Sequence, residues 1–155
     1  MVPPAERDHD LTVAVTGPTG TFGLALMPLL EADDRIGRVV GVARRPFEPS
    51  AFGWTKLTYR PGDVRDPDLL AEAFAEADVV VHLASIVTPG KDSNRAFEYD
   101  VDVNGTRNVL KACVRHGVKR IVVSSSGAAY GYHADNAPWL TEDMPVRGNE
   151  VFAYS

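Results

Sequence analysis

The sequence has little cysteine, no surplus of positive charge and no long hydrophobic run, and each of these absences argues against a class of protein. Cys113 is the single cysteine, so no disulfide can form within the chain, which is typical of a reducing compartment. The net charge is −5 and no basic stripe stands out, which argues against a nucleic-acid partner. No apolar run approaches the ~20 residues that a membrane-spanning helix needs. The polar segment Met1–Asp10 lacks the apolar core of a signal peptide, so we expect a cytoplasmic protein.

The residues that are present suit one folded domain. The chain has 155 residues, of which 45% are hydrophobic, and this is enough to bury a core. Short apolar runs alternate with helix-compatible segments, which predicts an α/β fold with a parallel sheet and helices on both faces. Besides the apolar run that begins at Leu11, we predict strands at Arg38–Ala43, Leu57–Arg60, Asp78–Leu83 and Lys119–Ser124.

Local signals place the helices between these strands. The first helix is predicted at Phe22–Ala32, with a bend rather than a break at Pro28. The triplet Asp66-Pro67-Asp68 is typical of a helix start, because a capping aspartate precedes a proline at the first helical position. A long helix is predicted at Arg95–His116, ended by a glycine cap at Gly117.

Other stretches are expected to be irregular. Pro46–Lys56 reads as a surface loop, and Gly127–Ala153 is expected to hold one regular element at most. A domain of this type normally needs further strands, so we expect residues 1–155 to be the N-terminal part of a longer protein, with the sheet incomplete at its C-terminal edge. Four aromatic residues are too scattered to predict a stacking platform, namely Trp54, Tyr130, Tyr132 and Trp139.

A glycine-rich turn organises the chain. The apolar run from Leu11 stops at Gly17, Gly20 and Gly23, which fit the pattern G-x-x-G-x-x-G and open a helix. This arrangement is typical of a dinucleotide-binding βαβ unit. Gly17 would allow the sharp turn, Gly20 the close approach of a pyrophosphate, and Gly23 tight packing of the helix on the sheet. The helix N-terminus would offer free N–H groups to the anion, while the alternative is a turn that binds nothing.

Further motifs follow the glycine turn in a characteristic order, and the chain resembles the extended short-chain dehydrogenase/reductases, the NAD(P)-dependent epimerase/dehydratase group. The resemblance covers nearly the whole chain and implies a Rossmann-type doubly wound sheet in three layers. The motifs that carry it are Thr16-Gly17-Pro18-Thr19-Gly20-Thr21-Phe22-Gly23, Gly62-Asp63-Val64-Arg65-Asp66, His82-Leu83-Ala84-Ser85, Val103-Asn104-Gly105-Thr106-Arg107-Asn108-Val109-Leu110, Ser124-Ser125-Ser126-Gly127-Ala128-Ala129-Tyr130-Gly131 and Tyr154.

The resemblance implies a set of cofactor-binding residues. The glycine turn would hold the pyrophosphate, Asp63 would accept a hydrogen bond from the adenine amino group, and the residues after the fourth strand would line the path to the nicotinamide ribose. The alternative for Asp63 is a turn residue after a strand. The implied residues are Gly17, Gly20, Thr21, Phe22, Gly23, Asp63, Val64, Leu83, Ala84, Ser85 and Ser124.

The resemblance also implies the catalytic pair Ser126 and Tyr154, with the serine bonding the substrate oxygen and the tyrosine as general acid/base. The alternative is that Ser125 and Ser126 are polar residues at a strand end. The family's lysine, four residues after the tyrosine, falls beyond Ser155, so we expect this chain alone to bind cofactor weakly at best and to be inactive. A second departure is Asp102, where the family usually has asparagine. An ionised aspartate cannot donate a hydrogen bond, so it cannot replace asparagine in a contact with the cofactor or backbone that needs a donor.

The sequence also predicts which cofactor is preferred. An acid about 20 residues beyond the glycine turn normally binds the ribose 2′-OH of NAD. Counted from Gly23 that position is Ala43, followed by Arg44 and Arg45, and guanidinium groups pair well with phosphate. NADP is therefore the predicted cofactor, with NAD as the alternative, unless both arginines only face solvent.

Two histidines could belong either to the core or to the site. His82 is interpreted as a buried core histidine, and His133 as a loop residue that either is solvated or touches substrate. No spacing suggests a metal site.

The resemblance implies a homodimer for the whole protein, formed partly by the helix near Arg95–His116, and only weak association of this chain alone.

The predicted function is hydride transfer between nicotinamide and a carbon that bears a hydroxyl or carbonyl group, as in an epimerase, dehydratase or reductase. The substrate is a small molecule, and a sugar nucleotide, a steroid and a small aldehyde all stay open. A non-catalytic NAD(P)-binding regulator is the alternative on the same fold. A Rossmann-like methyltransferase is a weaker reading, because it would not explain the serines and Tyr154.

Overall fold

The computed structural model describes residues 10–86 and 94–148. Five parallel strands form one sheet in the order β3-β2-β1-β4-β5. This order is that of a doubly wound Rossmann-type sheet, in which the chain starts in the middle and turns back between β1 and β4. The strands are β1 (Leu11–Thr16), β2 (Ile36–Ala43), β3 (Leu57–Pro61), β4 (Val79–His82) and β5 (Arg120–Val123).

Four α-helices connect the strands, and two of their predicted boundaries are confirmed by the capping geometry. The Asp66 carboxylate accepts hydrogen bonds from the N–H groups of Asp68 and Leu69, and Gly117 takes a left-handed conformation with φ of 63°. The helices are α1 (Thr21–Ala32), α2 (Pro67–Phe74), α3 (Arg95–Tyr99) and α4 (Thr106–His116). Pro28 does not break α1, which continues through it.

The long helix predicted at 95–116 is not uniform. Between α3 and α4 the backbone forms a wider π-helical turn over Asp100–Gly105. The Thr106 hydroxyl donates to the Asp102 carbonyl at 2.5 Å, a back-bond of the kind that distorts helices, and Gly105 is a weak helix former. A Cβ on Gly105 would lie 2.5 Å from Val64 Cγ2, so the glycine allows this turn to pack closely on the loop after β3.

Two apolar cores cover the two faces of the sheet, because successive strand residues point in opposite directions. Leu70, Phe74 and Val109 of α2 and α4 are fully buried on one face. On the other face Met27 of α1 packs in a cluster with Val15 and residues of β2. The predicted three-layer arrangement is therefore confirmed.

The segment after β2 is more ordered than the predicted loop. It contains a 3₁₀ turn at Pro49–Phe52, and Trp54 stacks on Phe52 and Phe47 with ring centroids 4.7 and 5.7 Å apart. Trp54 therefore has aromatic partners. They are two phenylalanines, which were not among the four aromatic residues named in the sequence analysis.

Strand β5 is an edge of the described sheet, and its Val122 and Val123 are 50% and 43% exposed. In residues 124–148, which follow it, one regular element is present, a 3₁₀ turn at Gly127–Tyr130. Within residues 10–86 and 94–148, no helix combines the length and the apolar character that crossing a membrane requires.

Candidate functional site

A groove of about 180 Å³ opens at the carboxyl ends of the central strands. It lies where the strand order reverses between β1 and β4, the position at which doubly wound sheets bind ligands. Nine of the predicted cofactor-binding residues line it, namely Gly17, Gly20, Arg44, Arg45, Asp63, Val64, Leu83, Ala84 and Ser85.

Three glycines shape the loop beside the groove, each in a different way. Gly17 has φ of +75°, and a Cβ there would lie 2.9 Å from the amide nitrogen of Ala84. A Cβ on Gly23 would lie 2.3 Å from the Gly17 carbonyl oxygen, so Gly23 packs α1 against the loop rather than against the sheet, which corrects the predicted partner. A Cβ on Gly20 would meet only that same oxygen, at 3.5 Å, and would otherwise point into open space.

The first turn of α1 adds N–H groups beside this loop. The earliest backbone bond of the helix runs from the Leu24 N–H to the Gly20 carbonyl, so the N–H groups before it have no partner within the helix. No acidic side chain lies in this turn. The predicted residues Thr21, Phe22 and Gly23 belong to this turn and are not part of the groove lining. Phe22 is 70% exposed.

Two arginines stand at the end of β2 and a carboxylate faces them from the loop after β3. Arg44 and Arg45 are exposed and line the groove. Asp63 binds the Arg65 guanidinium through both carboxylate oxygens, at 3.1 and 3.0 Å. Burial acts to raise the pKa of Asp63, but the hydrogen bonds and charge of Arg65 and the charge of Arg44 outweigh it and keep the pKa below its usual value. The carboxylate is therefore ionised, and an adenine amino group would have to share it with Arg65.

A buried chain of hydrogen bonds fixes the wall of the groove after β4. The Thr106 hydroxyl donates to a carbonyl, so His82 Nε2–H donates to Thr106 Oγ1 at 2.9 Å. His82 Nδ1 then accepts from the Thr16 hydroxyl at 2.6 Å, and Thr16 Oγ1 accepts from the Ala84 N–H at 3.3 Å. Burial lowers the pKa of His82 to about 4. The prediction of a buried histidine with satisfied hydrogen bonds is confirmed.

Asp102 meets the same wall from the π-helical turn. Its Oδ1 accepts from the Ile86 N–H at 2.9 Å, while its Oδ2 is buried and has no hydrogen-bond partner among residues 10–86 and 94–148. Burial raises the pKa of Asp102 above its usual value, although the Ile86 N–H and the Ser85 hydroxyl act in the opposite direction, and the charge of Glu98 raises it further. An aspartate thus satisfies the backbone contact but carries its charge in an unfavourable place.

Asp102→Asn should therefore stabilise the protein at neutral pH. A carboxyl group whose pKa is raised on folding contributes stability below its unfolded pKa of about 4, and this contribution is lost as the pH rises through the folded pKa. We expect the melting temperature of the variant to exceed that of the wild type by roughly 2–4 °C at pH 7.5, as about 1 kcal/mol gives in a domain of this size, and by much less at pH 4. Asp34→Asn, at an exposed position, is the control, and an equal gain at both pH values would contradict the explanation.

The predicted residues Ser124 and Ser126 follow β5 and take part in hydrogen bonds with the backbone. Ser126 Oγ accepts from the Ala128 N–H at 3.2 Å and caps a 3₁₀ turn, and the Ser124 N–H donates to the His82 carbonyl at 3.0 Å. Neither serine lines the groove. His133 Nε2 donates to the Arg147 carbonyl at 2.7 Å, so it is tied to its own loop. Tyr154 lies outside the described residues, and its pairing with Ser126 stays a prediction.

Some residues near the groove were not found by sequence reasoning. Phe97 of α3 packs under two guanidinium groups, with its ring centroid 5.9 Å from Arg44 Cζ and 4.8 Å from Arg65 Cζ. Tyr59 of β3 donates its hydroxyl hydrogen bond to carbonyls beside the arginines. Nothing in the local sequence marks either residue, because both act on segments distant from them along the chain.

A sequence model described as the NAD dependent epimerase/dehydratase family matches residues 13–155. The chain belongs to this family. UDP-glucose 4-epimerase 2 from Oryza sativa subsp. japonica is 34% identical over 152 residues, which cover 91% of this chain and 37% of that protein. 3 beta-hydroxysteroid dehydrogenase type 7 from Homo sapiens is 33% identical over 148 residues, which cover 93% of this chain and 38% of that protein.

The fold of the family is found again among solved structures. The crystal structure of a short-chain dehydrogenase/reductase superfamily protein from Agrobacterium tumefaciens with bound NAD matches with a TM-score of 0.75 at 30% identity, covering 92% of this chain and 40% of that chain. The chain thus spans about two fifths of the length of the relatives that it matches.

Proposed function

We propose that the protein binds NADP in this groove and transfers a hydride between the nicotinamide and a carbon that bears a hydroxyl or carbonyl group. One observation carries the proposal. The open space at Gly20 lies beside the N–H groups of the first turn of α1, which have no partner within the helix, and no acidic side chain lies in that turn. Such an arrangement attracts a pyrophosphate through its N–H groups and the helix dipole.

Each wall of the groove would hold one part of the cofactor. The glycine loop and the N–H groups of Thr21 to Gly23 would bind the pyrophosphate. Asp63 and the backbone of Val64 would bind the adenine, and the Leu83–Ser85 segment and Ser124 would border the nicotinamide end. The cofactor supplies the hydride chemistry, whereas the protein supplies orientation and a proton. Ser126 and Tyr154 would share the substrate oxygen, with Tyr154 as general acid/base.

The proposed substrate is a nucleotide sugar, with a steroid alcohol as the second candidate. The rice relative, 34% identical, is a UDP-glucose 4-epimerase by its name, and this favours a nucleotide sugar. The human relative, 33% identical, is a 3 beta-hydroxysteroid dehydrogenase. Both names are compatible with the proposed hydride transfer at a carbon that bears a hydroxyl group.

Arg44→Ala is expected to raise the dissociation constant of NADP about 10- to 100-fold, because a charge-assisted hydrogen bond to the 2′-phosphate is lost. The dissociation constant of NAD, which has no such phosphate, should change by less than about threefold. Isothermal titration calorimetry at one fixed ionic strength measures both constants. Arg115→Ala, at an exposed position on α4, removes the same charge away from the groove and should alter neither. NAD binding as tightly as NADP in the unaltered protein would contradict the preference.

A non-catalytic NAD(P)-binding regulator is the alternative function. Incubation of the protein with cofactor and a panel of nucleotide sugars, steroids and carbonyl compounds distinguishes the two. An enzyme converts at least one of them, seen as a change in absorbance at 340 nm or, for an epimerase that returns its hydride, as a new sugar in chromatography. Tight cofactor binding without any conversion over the whole panel would favour the regulator.

We also propose that the whole protein is a homodimer in the cytoplasm. Exposed apolar side chains on α4 and β5 support association, among them Val114, which is 83% exposed, because large exposed apolar patches usually mark interfaces. The free and buried Cys113 is in keeping with a reducing compartment.

A further inference from the structure

The hydroxyl of Tyr59 ties together the Ala43 and Arg45 carbonyls, which lie on either side of Arg44 along the backbone. It donates to the Ala43 carbonyl at 2.8 Å and also contacts the Arg45 carbonyl. A phenol has one proton, so the two carbonyls share it as a three-centre hydrogen bond. Burial raises the pKa of Tyr59, which keeps the proton in place at neutral pH. The ring is held in turn by Phe47, whose centroid lies 5.6 Å away.

The head group of Arg44 has a separate contact, with an aromatic ring of α3. Its Cζ lies 5.9 Å from the centroid of Phe97, within the range of cation–π attraction. Phe97 packs on the apolar core beneath it and also carries the Arg65 guanidinium at 4.8 Å. Arg65 is anchored by Asp63 and Asp100 at 3.0 and 3.4 Å, so its charge is paired with carboxylates. Arg44 and its neighbour Arg45 are the cations that line the groove, and of these two Arg44 has the aromatic contact.

We propose that Tyr59 is a positioning residue that sets the preference for NADP over NAD by fixing the backbone on both sides of Arg44, with Phe97 fixing its head group. This inference rests on the proposed binding of NADP by Arg44. A pre-positioned guanidinium loses less conformational entropy when it binds a phosphate. Loss of the Tyr59 hydroxyl therefore lowers the affinity only for the cofactor that carries the 2′-phosphate. A residue needed merely for folding would weaken both cofactors alike.

Tyr59→Phe keeps the ring and its packing and removes only the hydroxyl. We expect the dissociation constant of NADP to rise about tenfold and that of NAD to change by less than about twofold, as measured by calorimetry at one ionic strength. In the Arg44→Ala background, Tyr59→Phe should leave the NADP constant unchanged, since the group that it positions is gone. Tyr99→Phe, an exposed tyrosine on α3, is the matched control, and Phe97→Leu should act in the same direction as Tyr59→Phe.

An equal loss of affinity for both cofactors, or the same effect of Tyr59→Phe with and without Arg44, would overturn the inference. Hydrogen–deuterium exchange of the free protein separates this outcome from failure of the proposed function. Exchange at the Gly62 amide, which donates to the same Ala43 carbonyl at 3.0 Å, should rise about tenfold in Tyr59→Phe and stay unchanged in Tyr99→Phe. If the wild type binds neither cofactor the proposed function fails, and unchanged exchange at this amide overturns the positioning role whether or not a cofactor binds.

Discussion

In the whole protein, Tyr154→Phe is expected to lower turnover by about 10²- to 10⁴-fold, the usual contribution of a general acid/base, while the affinity for NADP stays within about twofold. A free tyrosine has a pKa of about 10, and a base that works near pH 7 needs about 4 kcal/mol of preferential stabilisation of its phenolate. A nearby ammonium group and the positive nicotinamide ring of the oxidised cofactor supply such stabilisation. Phenylalanine keeps the shape of the side chain but has no proton to exchange.

The assay follows conversion of the substrate found in the panel, by absorbance at 340 nm or by chromatography. Tyr132→Phe is the control, because this residue is an exposed tyrosine of the loop after β5, and it should keep full activity. Ser126→Ala should also lower turnover, but its hydroxyl caps the 3₁₀ turn through the Ala128 N–H, so its effect combines chemistry with local structure. A Tyr154→Phe protein with unimpaired turnover would show that the catalytic assignment is wrong.

Alanine at Gly20 and at Gly23 should separate binding from folding. At Gly20 the new Cβ has space in the free protein, and replacing a glycine N-cap by alanine costs about 1 kcal/mol or less. The added methyl group occupies the surface that a pyrophosphate would approach. We expect Gly20→Ala to raise the dissociation constants of NADP and NAD by at least about tenfold, with a fall in melting temperature of about 2–4 °C or less.

Gly23→Ala should act through the fold instead. Its Cβ would lie 2.3 Å from one backbone oxygen and 2.5 Å from the Pro18 carbonyl carbon, so α1 has to move away from the loop, and overpacking of this kind costs about 1–3 kcal/mol. A fall in melting temperature of up to about 10 °C is expected, together with weaker binding. Gly127→Ala, where nothing lies within 4 Å of the added Cβ, is the control. Undiminished cofactor binding by Gly20→Ala would place the pyrophosphate elsewhere.

Much of the fold was accessible from the sequence because its determinants are local. Alternating apolar runs, the Asp66 cap and the Gly117 cap depend on residues close together along the chain, and all of them were found. The π-helical turn at Asp100–Gly105 was not found. The Thr106 back-bond is local, but the close packing of Gly105 on Val64 joins two residues that lie on separate elements.

The candidate site, like the fold, has some features that the sequence marks and others that it does not. The glycine turn and the arginines after β2 are marked by spacing, and the structure brings them to one groove. The engagement of Asp63 by Arg65 and the contact of Arg44 with Phe97 depend on side-chain positions that spacing does not encode. The series of hydrogen bonds from Thr16 through His82 to Thr106 joins residues that are 66 and 24 positions apart. The sequence therefore suggested a buried histidine but not its partners.

The groove beside the glycine loop is proposed to bind NAD(P) and to favour NADP. Calorimetric titration of the whole wild-type protein with NADP and with NAD is the most direct measurement, made at one ionic strength because phosphate contacts are screened by salt. We expect one site per chain and a dissociation constant at least about tenfold lower for NADP. Binding of neither dinucleotide by protein that circular dichroism shows to be folded would contradict the claim, and equal constants for the two would contradict the role given to Arg44.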